Sequence, residues 1–235
     1  TLFPELFVPF LSSGINRRAF DTGAVELKLW QLRDYADGTY RRVDDRPFGG
    51  GPGMVMLAEP LEKCLQAIRL DRALKSPFET PVPVVLFSPI GQPLNHAGVE
   101  EWSQSDGAIL ICGRYEGLDQ RFIDAHVDVQ VSLGDFVLSG GEIAAIALLD
   151  AVARLQPGVL NDEGSHQMDS FNPALDGLLD CGHFTRPEVW KDITVPPVLM
   201  SGHHAEITKW RRQQSLVLTQ KYRPDLIVGA RLAGK

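Results

Sequence analysis

Three stretches of this sequence place glycine and small polar residues where buried apolar runs end: Ser88-Pro89-Ile90-Gly91, Gly113-Arg114-Tyr115-Glu116-Gly117, and the segment from Gly134 to Gly141. Glycine at such a point leaves backbone amides open to a ligand and lets that ligand come close to the chain. Taken alone, each stretch is equally an ordinary strand-to-helix turn. Three of them at strand ends point to a ligand cradle, because open α/β sheets bind ligands outside the carboxyl ends of their strands. A fourth stretch, DDRPFGGGPGM from Asp44 to Met54, is too dense in glycine and proline for a regular element and reads as a shaped loop. No Lys-Ser/Thr follows its glycines, which excludes a phosphate-binding P-loop. No G-x-G-x-x-G follows a strand, which disfavours a nicotinamide site.

The elements that must position these loops follow from periodicity. Val82–Phe87 and Ala108–Cys112 are short apolar runs, expected as buried strands. Val127, Val129, Val131 and Leu133 alternate with Asp128, Gln130 and Ser132, the period of a strand. Ser139 and Glu142 have S-x-x-E spacing and predict a capping box. The helix that follows is apolar on almost every face to Leu155, so it is expected to be buried. Helices are also expected over Pro60–Leu74, Val99–Gln104, Leu118–Ala125, roughly Gly202–Thr219, and a short one from Arg223. Val25–Trp30 alternates and reads as a strand, whereas Pro187–Trp190 and Pro196–Val198 read as irregular. Strands alternating with helices predict an α/β domain with a largely parallel sheet. Leu2 and Phe3 run straight into Pro4, as the tail of a first strand whose front is missing would. Pro157–Asn172 is polar and aperiodic and reads as a linker. The expected organisation is therefore a first domain over 1–157, a flexible linker over 158–172 and a small helical domain over 173–235.

The 235 residues have an ordinary globular composition, with no apolar run of transmembrane length and no signal peptide among the first residues. Cys64, Cys112 and Cys181 are odd in number and far apart, which argues against a disulfide framework and for a reducing compartment. Residues 1–172 carry 14 Lys+Arg against 24 Asp+Glu, while residues 173–235 carry 9 against 6. A basic tail on an acidic body permits an anionic partner, although a solvated surface explains so small an excess as readily.

Several long motifs then combine. GRYEG at Gly113–Gly117, GDFVLSGGE at Gly134–Glu142, DDRPFGGGPGM, DSF at Asp169–Phe171 and SGHHAEITKWR at Ser201–Arg211 resemble the bacterial tRNA (guanine-N1)-methyltransferases of the TrmD type. LFPELF at Leu2–Phe7, GLLDC at Gly177–Cys181 and TRPEV at Thr185–Val189 fit as well, so the resemblance spans essentially the whole chain in order. It implies a SPOUT-class fold: an α/β domain with a mostly parallel sheet and a deep trefoil knot, plus a small α-helical C-terminal domain. It also implies S-adenosylmethionine as cofactor and a cytoplasmic homodimer with active sites at the subunit interface. The implied reaction is methylation, during tRNA processing, of N1 of the guanine immediately 3′ of the anticodon. General rules of chain connection would have argued against a knot.

The site residues follow from the same resemblance. A guanine N1 must lose its proton before it attacks a methyl carbon, which calls for a general base within hydrogen-bond reach. Asp169 is the implied base. Arg154 is implied to stabilise the charge that deprotonation moves to O6, an oxyanion-type role. Glu116 is implied to support catalysis, with Mg²⁺ implicated through the family only; no dense constellation of metal ligands stands in the sequence. The cofactor is implied to rest on backbone groups of Val131, Ser132, Leu133, Gly134 and Asp135, and of Phe136, Val137 and Leu138. Gly113, Tyr115, Gly117, Gly140, Gly141 and Ala144 are implied beside them, with Leu86, Phe87, Ser88 and Pro89 closing one side. Substrate contacts are implied at Ser170, Phe171 and His203, and at phosphates from Arg186, Lys191, Lys209, Arg211 and Arg212, with a salt-dependent affinity. The sequence departs from the family pattern at Val129–Val131, at Leu86 and at Ala144, and is a few residues longer between Phe171 and Gly177. Two other readings stay open: a SPOUT-fold methyltransferase acting on another RNA or atom, and a catalytically silent RNA-binding protein.

Overall fold

A computed structural model describes residues 1–75, 81–161 and 166–227 of the chain. It divides into two units, Thr1–Leu160 and Asn161–Lys235. In the first unit the elements run α1 (Val8–Ser12), α2 (Asn16–Asp21), β1 (Asp44–Asp45), β2 (Val55–Met56), α3 (Ala58–Lys75), β3 (Val84–Pro93), α4 (His96–Ser103), β4 (Ile109–Ile111), α5 (Gln120–His126), β5 (Val129–Ser132) and α6 (Glu142–Ala153). The second unit holds β6 (Val189–Trp190), β7 (Ile193–Thr194), α7 (Pro197–Met200) and α8 (His204–Tyr222).

The central sheet has the order β4-β3-β5, and both pairings are parallel, as the alternation of strands and helices led one to expect. Its apolar runs are continuous because both faces are covered. Val84, Leu86 and Ile109 face a core with Leu61 and Leu65 of α3 and Phe122 of α5. Cys112 packs the opposite way against Phe7 and Ala145 of α6, with Phe87 and Leu110 beside them. At the start of the sheet Asp128 accepts a hydrogen bond from the Val84 amide at 2.7 Å, which fixes the register of β5 against β3. Side-chain caps set two helix starts. Asn95 accepts from the Gly98 amide at 3.0 Å before α4, and Asp119 accepts from the Arg121 amide at 3.0 Å before α5.

Several local expectations are corrected. Residues 25–30 form no strand among the described residues. Alternation alone is insufficient there, because a strand needs a neighbouring backbone. Its backbone bonds fall at its two ends: Val25 N donates to Ala19 O at 3.0 Å, Thr1 donates to Trp30 O at 3.2 Å, and Leu32 N donates to Thr1 O at 3.0 Å. Beside it lies a cavity of about 500 Å³ walled by Leu27, Leu29, Ile109, Leu110, Leu149 and Val152. This cavity is lateral to the sheet and includes none of the residues 113–117 or 131–141. β3 does not stop at Ser88; it bulges and resumes, so that Phe87 and Gln92 both lie opposite Val131. The Ser139–Glu142 capping box does not form: α6 starts at Glu142 with Gly141 as its uncapped N-terminus, because the Glu142 side chain is engaged elsewhere. Nor is α6 buried on every face, since Ile143 is exposed while Ala144, Ala145, Leu148 and Ala153 are buried. In the second unit, 187–188 are irregular as expected, but 189–190 and 197–198 are not. They contribute the β6–β7 hairpin and α7.

The expected linker lies partly outside the described residues, at 162–165. Its described end is tied down by hydrogen bonds. Phe171 N donates to Leu178 O at 2.8 Å, Asn172 Nδ2 donates to His166 O at 3.1 Å, and Asp180 N donates to Ser170 Oγ at 2.9 Å. The second unit packs Leu175, Leu178 and Cys181, with Thr219 of α8 accepting from the Leu179 amide at 3.0 Å. The expected final helix begins at 224–227, and its continuation lies outside the described residues.

Candidate active site

Parallel strands bring their carboxyl ends to one edge, so the glycine loops after β4 and β5 must emerge together. The structure joins them directly. Gly141 N donates to Gly113 O at 2.9 Å, and Arg114 and Gly140 form an antiparallel bridge. Glycine is required at both seams. A Cβ on Gly141 would lie 2.8 Å from Cys112 Cα, and one on Gly140 would overlap the Arg114 guanidinium at 2.2 Å from Nε. The third loop joins through Gly91, where a Cβ would sit 2.5 Å from Val131 N. Ser88–Gly91, 113–117 and 131–141 therefore meet as a single backbone-lined rim.

Beneath that rim lies a buried ion pair. Glu142 is 0% exposed and receives Arg114 Nε at 2.8 Å on one oxygen and the Thr1 hydroxyl at 2.7 Å on the other. Arg114 also donates to Ser139 O at 3.3 Å and lies 4.4 Å from the centre of the Phe3 ring. Its several donors match a carboxylate and a carbonyl at once, which a lysine would not. Arg114 and Glu142 are absent from the sequence-based set. The signal was present, as two charges inside GRYEG and GGE, but only the fold puts them together. Cys112, under the same seam, is pushed up to about 12 by burial, so it is no nucleophile at neutral pH.

The cofactor residues named from the sequence sort by exposure. Leu86, Val131, Ser132, Gly141 and Ala144 are buried, and Phe87, Ser88, Gly113, Gly117, Leu133, Gly134 and Gly140 are half-buried. Asp135, Phe136, Val137 and Leu138 are exposed, as are Pro89 and Tyr115. Ser132 Oγ receives the Gly134 amide at 3.2 Å, and Phe136 N donates to Gly134 O at 2.9 Å, which folds 132–136 into a tight crook. Tyr115 holds φ 61°, a left-handed conformation that favours glycine.

Glu116 is exposed, and its carboxyl lies against Gly53, where a Cβ would meet Oε1 at 2.3 Å. Its amide donates to Met54 O at 2.9 Å, and Met56 N donates to Gly117 O at 2.9 Å. The glycine-rich loop 44–54 is thus stitched onto the 113–117 turn, a contact between stretches some sixty residues apart that no local pattern announces. Arg154, half-buried, follows the last turn of α6. Among the described residues no group of three or more His, Cys, Asp or Glu is placed to hold a metal ion.

In the second unit Asp169 is half-buried at the end of a 3₁₀ turn, its amide donating to His166 O at 3.2 Å. Phe171 beside it has φ 73° and lies 5.7 Å from the Arg223 guanidinium. Ser170 accepts from Asp180, as described above. Arg186, Lys191, His203, Lys209 and Arg211 are exposed. Arg212 is turned inward, donating to Leu175 O at 3.0 Å and pairing with Asp176, so its head group braces the unit.

Comparison with known proteins gives a consistent result. The family model described as tRNA (Guanine-1)-methyltransferase TrmD matches residues 1–229. The chain is 71% identical over 234 residues to a tRNA (guanine-N(1)-)-methyltransferase of Polaromonas sp., covering 100% of this chain and 90% of that protein. Proteins of the same name from Paracidovorax citrulli and Leptothrix cholodnii are 68% and 59% identical, again over 100% of this chain and over 91% and 92% of theirs.

Proposed function

Because the chain belongs to the tRNA (guanine-1)-methyltransferase family, we propose that it transfers a methyl group from S-adenosylmethionine to N1 of the guanine immediately 3′ of the anticodon in tRNA. The observation that carries this reading is the seam of Gly113, Arg114, Gly140 and Gly141, which closes the loops of two parallel strands into one cradle. The cradle suits an adenosine. Its glycines at 140 and 141 let the two loops close against each other, and residues 135–138 stand exposed on the rim, where they would meet the base edge. The bound sulfonium supplies an activated methyl group. The residues of the chain supply orientation and proton handling.

Asp169 accepts the N1 proton of the guanine, which frees the N1 electron pair to bond the methyl carbon as that carbon's bond to sulfur breaks and S-adenosylhomocysteine leaves. Arg154 lies beside O6 and stabilises the charge that builds there. Glu116, held against Gly53, borders the rim from the side of loop 44–54. Ser170 and Phe171 frame the guanine next to Asp169, and Arg186, Lys191, Lys209 and Arg211 contact phosphate. The fold is read as a deep trefoil knot, a reading supported by the family to which the chain belongs. The enzyme is read as a homodimer in which Asp169 serves the partner's cofactor. The cytoplasm is its proposed location. No described helix is long and apolar enough to cross a membrane.

The deciding experiment is methylation of a guanine-containing tRNA transcript, followed by mass spectrometry of its nucleosides. N1-methylguanosine is expected. A ribose 2′-O-methyl product, or no product, overturns the assignment. The cradle has its own test. Gly141→Ala drives a methyl group into Cys112 and is expected to cost about 1–3 kcal/mol of stability, the usual range for overpacking. It should also weaken S-adenosylmethionine binding at least about tenfold, the affinity equivalent of about 1.4 kcal/mol. Unchanged binding by calorimetry would show that the seam is not the cofactor's seat.

A further inference from the structure

Loop 44–54 has so far no part in the reaction, yet it is built with care. Its stem is rigid: Asp44 and Asp45 pair with Met56 and Val55, Val43 and Met56 are buried, and Leu57 N donates to Val43 O at 2.9 Å. Its base is fastened to the rim of the cradle through Glu116, Gly117 and Gly53. Its tip is a turn in which Gly50 N donates to Pro47 O at 3.2 Å. Gly49, Gly50 and Gly51 all have positive φ, and nothing lies within 4 Å of where their Cβ atoms would be. On that tip stands Phe48, 100% exposed, more than any other large apolar side chain among the described residues. Two positions earlier, Arg46 is exposed as well.

We propose that Phe48 stacks on the extruded target guanine of the tRNA, with loop 44–54 as the arm that carries it to the cradle. The inference rests on the proposed function. A base that is methylated at N1 must leave its stack, and bases so exposed are held on aromatic faces. Phe48 offers such a face with no polar edge of its own, so it holds the base without selecting it. Selection stays with the groups that meet the guanine edge. Arg46 supplies the adjoining charge for the nucleotide's phosphate. The three glycines that follow let the ring settle onto the base while the stem keeps the arm at the rim. Phe48 is therefore a positioning residue rather than a catalytic one.

The test is steady-state kinetics of Phe48→Ala, Phe48→Tyr and Phe48→Leu with full-length tRNA, together with anisotropy of a fluorescein-labelled tRNA transcript. Phe48→Ala should raise KM for tRNA and the transcript's Kd about 5- to 100-fold, the range of base–aromatic stacking. KM for S-adenosylmethionine, kcat and the melting temperature should stay within about twofold or a degree or two, since a fully exposed side chain supports no packing. Phe48→Tyr should restore wild-type values and Phe48→Leu should not. Equal rescue by leucine, an unchanged Kd in Phe48→Ala, or a shift in sedimentation showing that the ring covers a second copy of the chain would each overturn the proposal. If the wild-type protein makes no N1-methylguanosine, the functional reading fails while the Kd comparison still decides what Phe48 does.

Discussion

Asp169→Asn is expected to lower the rate constant of methyl transfer about 10²–10⁴-fold, the contribution of a positioned general base, while S-adenosylmethionine binding stays within about twofold. The amide keeps the shape of the side chain and removes its ability to take the N1 proton. The surrounding structure explains why the loss should be confined to chemistry. Asp169 is carried by backbone bonds that the substitution leaves in place: its amide donates to His166 O, Asn172 N donates to its carbonyl at 3.2 Å, and the next two residues are pinned to Asp180 and Leu178. The measurement is a single-turnover rate under saturating cofactor, with a calorimetric titration of S-adenosylmethionine alongside. Retention of more than a tenth of the wild-type rate would remove Asp169 from the role of base. A parallel loss of cofactor affinity would instead make it a structural residue.

The second large effect is one of stability. Arg114→Ala leaves Glu142 fully buried with the Thr1 hydroxyl as its remaining partner, and breaking such a pair from one side costs about 3–5 kcal/mol. For a unit of this size that corresponds to a fall in melting temperature of roughly 10 °C. The double variant Arg114→Ala, Glu142→Ala should recover much of the loss, because it removes the stranded charge as well. Thermal denaturation of the three proteins reads this directly. If the double variant is no more stable than Arg114→Ala, the charge of Glu142 is not what the arginine holds in place. Activity should fall with stability here, since the pair underlies the seam between 113–114 and 139–142 on which the proposed cradle depends.

Much of the fold was legible because its rule is local. The near-continuous runs at 84–86 and 109–111 can be buried only with both faces covered, and the strands do lie in a parallel sheet between α3 and α5 on one face and α6 on the other. Residues 25–30 show the limit of that rule. They alternate as a strand should, yet alternation describes two faces of a ribbon and says nothing of whether another backbone lies along its edge. Ser139 and Glu142 show it again. Their spacing permits a capping box, but a carboxylate that meets a guanidinium 28 residues away in a buried pocket is held more strongly than by one amide at the start of its own helix. The lesson applies equally to Arg212, which reads as a surface cation beside Lys209 and Arg211 but turns inward to Asp176 and a backbone carbonyl.

The sequence by itself determined the family, the reaction class and the order of the loops, because long motifs identify a chain without regard to its path in space. It determined the alternation of helix and strand because periodicities of 3.6 and 2 are written residue by residue. Only the tertiary structure decided what those motifs do to one another. It closed Gly113 on Gly141 and Arg114 on Glu142, and laid Glu116 on Gly53. Each of these is a contact between residues far apart in the chain. Its energy comes from removing charge, backbone or apolar surface from water at a place that exists only once the strands have paired, and no local pattern encodes such a place.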